Sequence, residues 1–319
     1  MKNLYVLFFC YIICITYAFG QTCCSGGVPV SNNLGFQSAE SGFLQYSLAV
    51  NHNQLNSLFS ESNRLDDDSR LRTTQTFIIR SAYQINPRFS AELFVPFIRQ
   101  TRQITQSSFG STDLERTNGL GDIIVLGSYE LVQSKLSWIL SAGLKLATGK
   151  NNVTNSNGLT LVNDLQPGSN ATDFIFKSSL SGNLSKRPTT TIFGSLTYSL
   201  KGHNNNYLGS LSYKFGNEAT AIIGIQDQWL LGTNIFNPGI GLRYRKAERD
   251  LVNSSELEST GGEWLFSQFN LGYKINPQSQ FLISFEIPVY SFVNGTQLSP
   301  NYTVNFSFYS KFKINRNEK

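Results

Sequence analysis

The sequence predicts an all-β protein, a transmembrane antiparallel β-barrel of the outer membrane with about 12 strands (10–14). Three observations carry the prediction. Apolar and polar residues alternate with period two in segment after segment, the mark of a strand with two unlike faces. Charged residues are only 15% of the chain and aromatics are 13%, with 24 Phe and 14 Tyr, whereas soluble domains carry about 25% charged residues. The linkers between segments alternate between short and long, as turns at one end of a barrel and loops at the other would.

In chain order, the first element is a leader. MKNLYVLFFCYIICITYAFG has a single Lys2 ahead of an apolar run over 4–15, then small Ala18 and Gly20 ahead of Gln21. This is the pattern of a cleaved secretory signal over 1–20, with an apolar core too short for a membrane anchor. Residues 21–40 follow as a periplasmic segment carrying Cys23 and Cys24, then the barrel over 41–315 and a tail over 316–319. Gln21 and Thr22 make a poor lipidation signal before Cys23.

Within the barrel, RFSAELFVPFIRQ sets Phe89, Ala91, Leu93, Val95 and Phe97 opposite Ser90, Glu92 and Gln100. GLGDIIVLGSYEL and KLSWILSAGLKLA alternate in the same way, as do GEWLFSQFNLGYKI and SQFLISFEIPVYSF. The closing YTVNFSFYSKFKI opposes Tyr302, Val304, Phe306 and Phe308 to Thr303, Asn305, Ser307 and Lys311. Further segments lie near 43–51, 73–85, 173–184, 189–201, 207–215, 219–229 and 238–247. The polar faces are mostly Ser, Thr, Asn, Gln and Gly with single charges, and the other faces are crowded with Phe, Tyr, Leu and Ile. A soluble sandwich would carry a charged outer face, so lipid contact fits better.

Asn86-Pro87, Gln133-Ser134-Lys135, Lys186-Arg187-Pro188, Gly216-Asn217 and Asn276-Pro277 read as tight turns; 52–71, 102–117, 149–172, 248–262 and 293–301 read as long polar loops. The segments number thirteen, whereas single-chain bacterial barrels have an even number. Loop parity assigns 219–247 one membrane strand plus an arm of an external hairpin, which brings the count to about twelve.

The alternation aims Arg80, Glu92, Asp122, Glu130, Lys145, Lys177, Arg243, Arg245, Glu286 and Lys311 at the interior, together with Lys214 and Lys313. They are candidates for lining a solute path, or equally for bracing a narrow barrel, since wide aqueous channels belong to 16–18 strands. Arg80 and Glu92 flank the Asn86-Pro87 turn on one face and are candidates for a cross-strand ion pair. His52 and His203 sit far apart in sequence, with no metal-ligand spacing, and no nucleophile elbow or phosphate loop is present. An enzyme is therefore not expected, and no cofactor. The basic residues form no run, which disfavours nucleic acid.

Several phrases resemble a known family. GLGDIIVLGSYEL, DLQPGSNATDFIF and IPVYSFVNGTQL with its closing strand are similar to the phenol-degradation-pathway (MetA-type) outer-membrane β-barrel transporters, and CCSGG after the leader resembles a Bacteroidota-like variant. The resemblance covers 21–315 and implies a barrel of about twelve strands that passes small molecules. It implies that Gly119, Gly121 and Asp122 start a strand at the extracellular rim, that Gln166, Pro167 and Gly168 belong to a large external loop, and that Gly295 and Gln297 lie in the last loop.

The expected partners are outer-membrane lipid and a small solute, hydrophobic or aromatic compounds among them. Cys23 and Cys24 leave three roles open: a vicinal disulfide, a soft-metal site, or pairing with a periplasmic partner. The competing reading is a closed structural or surface-binding barrel without transport, and an outer-membrane enzyme is a weaker third.

Overall fold

The computed structural model describes residues 42–106 and 111–314. The leader, the Cys23-Cys24 pair and the CCSGG motif lie outside the described residues. Eleven strands form the wall: β1 (Phe43–Glu61), β2 (Arg70–Gln84), β3 (Phe89–Gln106), β4 (Ile124–Gln133), β5 (Leu136–Lys145), β6 (Asp173–Leu184), β7 (Arg187–Leu200), β8 (Glu218–Gln226), β9 (Asn234–Ala247), β10 (Gly262–Asn276) and β11 (Ser279–Lys313). Each pairs antiparallel with its sequence neighbours, and β11 pairs with β1, so the sheet closes on itself.

β11 is doubled. Its 279–293 arm pairs with β10 and its 293–313 arm with β1. The chain reverses at Gly295, φ +64°, a left-handed conformation that suits glycine. Phe281 of the first arm stacks on Phe306 of the second at 5.6 Å, and Ser279 meets Ser310 at 2.9 Å. With the two arms counted apart, twelve strands cross, which restores the even number of a single-chain barrel.

The burial pattern is that of a globular protein turned inside out. Gln45, Asn51, Thr76, Gln84, Ser128 and Asn305 are buried, while Phe77, Phe97, Phe174, Leu196, Ile223 and Phe269 are exposed. Leu196 and Ile223 are 64% and 62% exposed. Such a belt would be an aggregation surface in water, and it is what a bilayer requires. Phe89, Tyr129, Trp138 and Phe312 gather at the end of the short turns, where barrels carry an aromatic girdle. Among the described residues no helix is long and apolar enough to cross a membrane.

Three sequence expectations change. Both halves of 219–247 are wall strands, β8 and β9, in register from Glu218↔Ala247 to Gln226↔Gly239. The surplus segment is 207–215. It belongs to a separate four-stranded sheet, made with His203–Tyr207, Leu211–Lys214, Leu251–Val252 and Ser255–Glu256. That moves Lys214 out of the interior. Gly216-Asn217 accordingly sits at the loop end of the barrel, and the turn between β8 and β9 is 227–233, built on the short strand Trp229–Leu231.

The second change is strand length. β1 runs to Glu61, placing His52 on a strand opposite Val304, and β3 runs to Gln106 beside the strand Ser111–Leu120. These polar ends read as loops because a strand above the lipid is wet on both faces and loses its alternation. The third is a bulge. The strand opposite β3 shifts at 121–123, where Gly121 N–H donates to Pro96 O at 2.9 Å, before β4 begins.

Ile223 in the middle of β8 tests the lipid face. Ile223→Lys is expected to lower folding stability in phospholipid vesicles by about 2–4 kcal/mol, the cost of lysine near the bilayer midplane. An unchanged urea midpoint would mean that this face does not meet lipid.

Candidate functional site

The interior is built from the inward side chains of the wall and from loop 146–172, which folds into the mouth at the long-loop end. The loop carries a single 3-10 turn, Asn163–Leu165, with all three residues buried. Arg72 of β2, fully buried, meets Asp164 Oδ2 at 2.7 Å and also donates to the Asp164 carbonyl. Its Nη2 donates to Gln100 Oε1 at 2.6 Å, and Thr117 Oγ1 donates to Leu165 O at 2.7 Å. Gln166 holds the loop to itself, donating to Val153 O and Leu161 O and accepting from Val153 N–H.

The stem of this loop is pinned by a second cluster. Asp122 turns inward at the bulge and accepts from Gly149 N–H and Ser169 N–H, both at 2.9 Å. Lys145 Nζ lies 3.1 Å from Asp122 and 3.0 Å from Asp173, and Lys201 reaches Asp173 at 3.3 Å. The two loop limbs cross at Gly149 and Gly168. A Cβ on Gly168 would sit 2.4 Å from the Gly149 backbone, so neither position has room for a side chain.

Away from the loop stem, the candidates meet in smaller groups. Arg80 Nη2 lies 2.6 Å from Glu92 Oε2, on diagonal positions of β2 and β3. Lys177 of β6 adds its charge to the same group, and Ser128 bridges Glu92 to Ser141. Arg243 pairs with Glu286 at 2.6 Å, and Gln268 donates to the same carboxylate. Arg245 pairs with Glu218 at 3.0 Å, Glu130 accepts from Ser137, and Lys311 lies over the Phe43 ring near the turn end.

Sequence reasoning missed two parts of this interior. Arg72 and Asp164 carry no role in the sequence reading and Gln100 only a place on a polar strand face, and only the fold brings them together. The interior is also partly apolar. Ala49, Ile78, Phe94, Ile124, Leu126 and Ile175 form one buried cluster, and Trp264, Phe266 and Val293 form another. Arg80 stacks on Phe94 at 4.8 Å and Arg243 on Phe266 at 4.0 Å, so each guanidinium is held between a carboxylate and a ring. Among the described residues no group of three or more His, Cys, Asp or Glu is placed to hold a metal.

Outside the mouth, Asp250 accepts from Tyr213 OH and, at 2.8 Å, from Gly216 N–H, tying loop 248–261 to the small sheet. Burial raises its carboxyl to about 6, outweighing the two donors that favour the charged form.

No family model and no curated protein matches the chain. Among solved structures, the COG4313 outer membrane channel from Pseudomonas putida F1 superposes with a TM-score of 0.70 at 15% identity, covering 88% of this chain and 99% of that one. The β domain of the Bordetella autotransporter BrkA gives 0.45 at 10% identity, over 85% and 100%. A Pseudomonas aeruginosa FadL homologue gives 0.41 at 10%, over 86% and 91%. The first of these shares the fold, and the protein is by its architecture an outer-membrane β-barrel.

Two outcomes follow from this geometry. Arg72→Ala leaves the Asp164 carboxylate buried without its cation and is expected to cost about 3–5 kcal/mol locally. Loop 146–172 should then be cut by protease in the folded barrel, and a loop as resistant as in the parent would rule out this anchor. The raised Asp250 pKa means that the folded state holds its proton more tightly than the unfolded state. The stability it contributes is therefore full at low pH and is lost as pH rises from about 4 through about 6. Hydrogen exchange of 248–261, corrected for intrinsic rates, should show protection falling over that window. Asp250→Asn should abolish the pH dependence.

Proposed function

We propose that the protein is a channel for small solutes, admitted past loop 146–172 and passed through an interior of mixed polarity. The observation that carries the reading is the way the mouth is filled. The loop is held by discrete polar contacts, Arg72 with Asp164, Asp122 with the Gly149 and Ser169 N–H groups and Lys145 with the Ser169 hydroxyl, rather than by a continuous apolar core. Contacts of that kind break without unfolding the wall. Lys145 and Asp122 then act on opening, and Arg80, Glu92 and Lys177 act on the path beneath.

An apolar cluster next to an ionic layer suits solutes with an apolar body and a polar group, in line with hydrophobic or aromatic compounds. The Pseudomonas putida neighbour is an outer membrane channel, which supports the channel reading. So does the resemblance of 119–131, 164–176 and 287–298 to the phenol-degradation-pathway transporters. Export through the 1–20 leader completes the reading.

Conductance in planar bilayers tests it. With residues 150–167 replaced by a short Gly-Ser linker, the barrel is expected to pass a steady current several-fold above that of the parent. Lys177→Met in that background should lower anion preference, since Arg80 and Lys177 outweigh Glu92 in the layer. A silent barrel with and without the loop would overturn the channel and favour a closed structural barrel.

A further inference from the structure

A cleft of about 490 Å³ opens between loop 149–170 and the tip of the His203–Tyr207 hairpin, within the size range of small-ligand sites, about 300–1,000 Å³. Its lining holds six asparagines, one glutamine, a tyrosine and three leucines, and no charged side chain. We propose that this cleft is an extracellular binding site for a neutral oligosaccharide.

The argument begins with what the amides are doing. Asn155 is spent on its own turn, accepting from Asn157 N–H and Leu159 N–H at 3.0 Å, and it does not line the cleft. Asn151, Asn152 and Asn206 do line it, and their side chains make no hydrogen bond to another described residue. Beneath them the frame is fixed. Asn170 Nδ2 donates to Asn204 Oδ1 at 2.9 Å, and Gln166 is locked by three bonds.

Asn163 supplies the independent observation. It lines the cleft and is only 3% exposed, yet its Nδ2 has no hydrogen-bond partner among the described residues. A buried amide donor is ordinarily satisfied by protein or water, so this one is open to an acceptor that enters the cleft.

The chemistry of the wall selects the ligand. A carboxamide offers donors and an acceptor side by side, which matches hydroxyls that both donate and accept. A phosphate or carboxylate would enter without a counter-charge, at a desolvation cost that no lysine or arginine in the wall offsets. Tyr207 and Leu208 at the hairpin tip supply the apolar surface that the C–H face of a pyranose needs. The site lies on the outer surface of loop 146–172 and the 203–209 hairpin tip, so binding there can be measured whether or not the barrel conducts.

The test is calorimetric titration of the full protein, folded in a detergent without a sugar headgroup, with maltohexaose, cellohexaose, chitohexaose and the anionic hexagalacturonate. At least one neutral oligosaccharide is expected to bind, hexagalacturonate is not, and Tyr207→Ala should weaken binding on the order of tenfold. Should that variant fail to fold, as judged by its heat-modifiable mobility, Asn151→Ala with Asn152→Ala alters only exposed or half-buried amides and should weaken binding in the same direction. The proposal is overturned if no neutral oligosaccharide binds at millimolar concentration, if hexagalacturonate binds as well as they do, or if the folded variants bind like the parent. Conductance is not the readout, so a closed barrel can bind sugar and an open one can fail to.

Discussion

Closure of the backbone hydrogen-bond ladder is the constraint on which everything else depends. A strand edge inside lipid has no water to satisfy its N–H and C=O groups, so an open sheet cannot span. Here the seam is the pairing of β1 with the last arm of β11, running from Phe43↔Lys313 towards the loop end. The first and last wall strands of the chain therefore meet, and the barrel cannot form until both are present. A ladder assembled from sequence neighbours alone, with a single long-range seam, also explains why short turns suffice at one end.

Closure fixes the polarity of the interior. Once the apolar residues face lipid, the alternation leaves the other half of each strand facing a narrow core that must be filled. The chain fills it with charges in pairs, Arg80 with Glu92, Arg243 with Glu286 and Arg245 with Glu218. A buried pair adds little net stability, but removal of one partner strands the other at large cost. Such pairs hold a definite arrangement without the irreversibility of an apolar core. The rings of Phe94 and Phe266 beneath two of the arginines limit their motion further.

Much of this was legible from period-two patterning, because lipid and lumen demand opposite residues within one strand. Glu92 and Arg80 could be assigned to one face on that basis alone. The pattern fails where the physical contrast fails. Above the membrane both faces of a strand are wet, so 52–61 and 102–106 read as loop, and the outer sheet at 207–215 reads as wall because Tyr207, Leu211, Tyr213 and Phe215 happen to alternate. Inside the barrel, Trp264 and Phe266 sit on the face that alternation reserves for polar residues; they are buried against Val293 and beneath guanidinium groups rather than facing lipid. The Arg72–Asp164 contact spans 92 residues and has no local signature at all.

The glycines and Asp122 show how the mouth came to be built in this place. The bulge at 121–123 breaks the register between Phe97↔Leu120 and Phe94↔Ile124, and this turns the Asp122 side chain to the inside. From there it meets both limbs of loop 146–172, at Gly149 and Ser169. Those limbs approach closely enough to share one carboxylate only because Gly149 and Gly168 lack side chains. Lys145 and Asp173, the last residue of β5 and the first of β6, then balance the charge at the point where the wall gives way to the loop. The loop is thus tied to the wall at its two ends and to Arg72 at its inner turn. Its outer surface is left to carry the asparagines of the cleft, so inward closure and an outward-facing site are two sides of one folded segment.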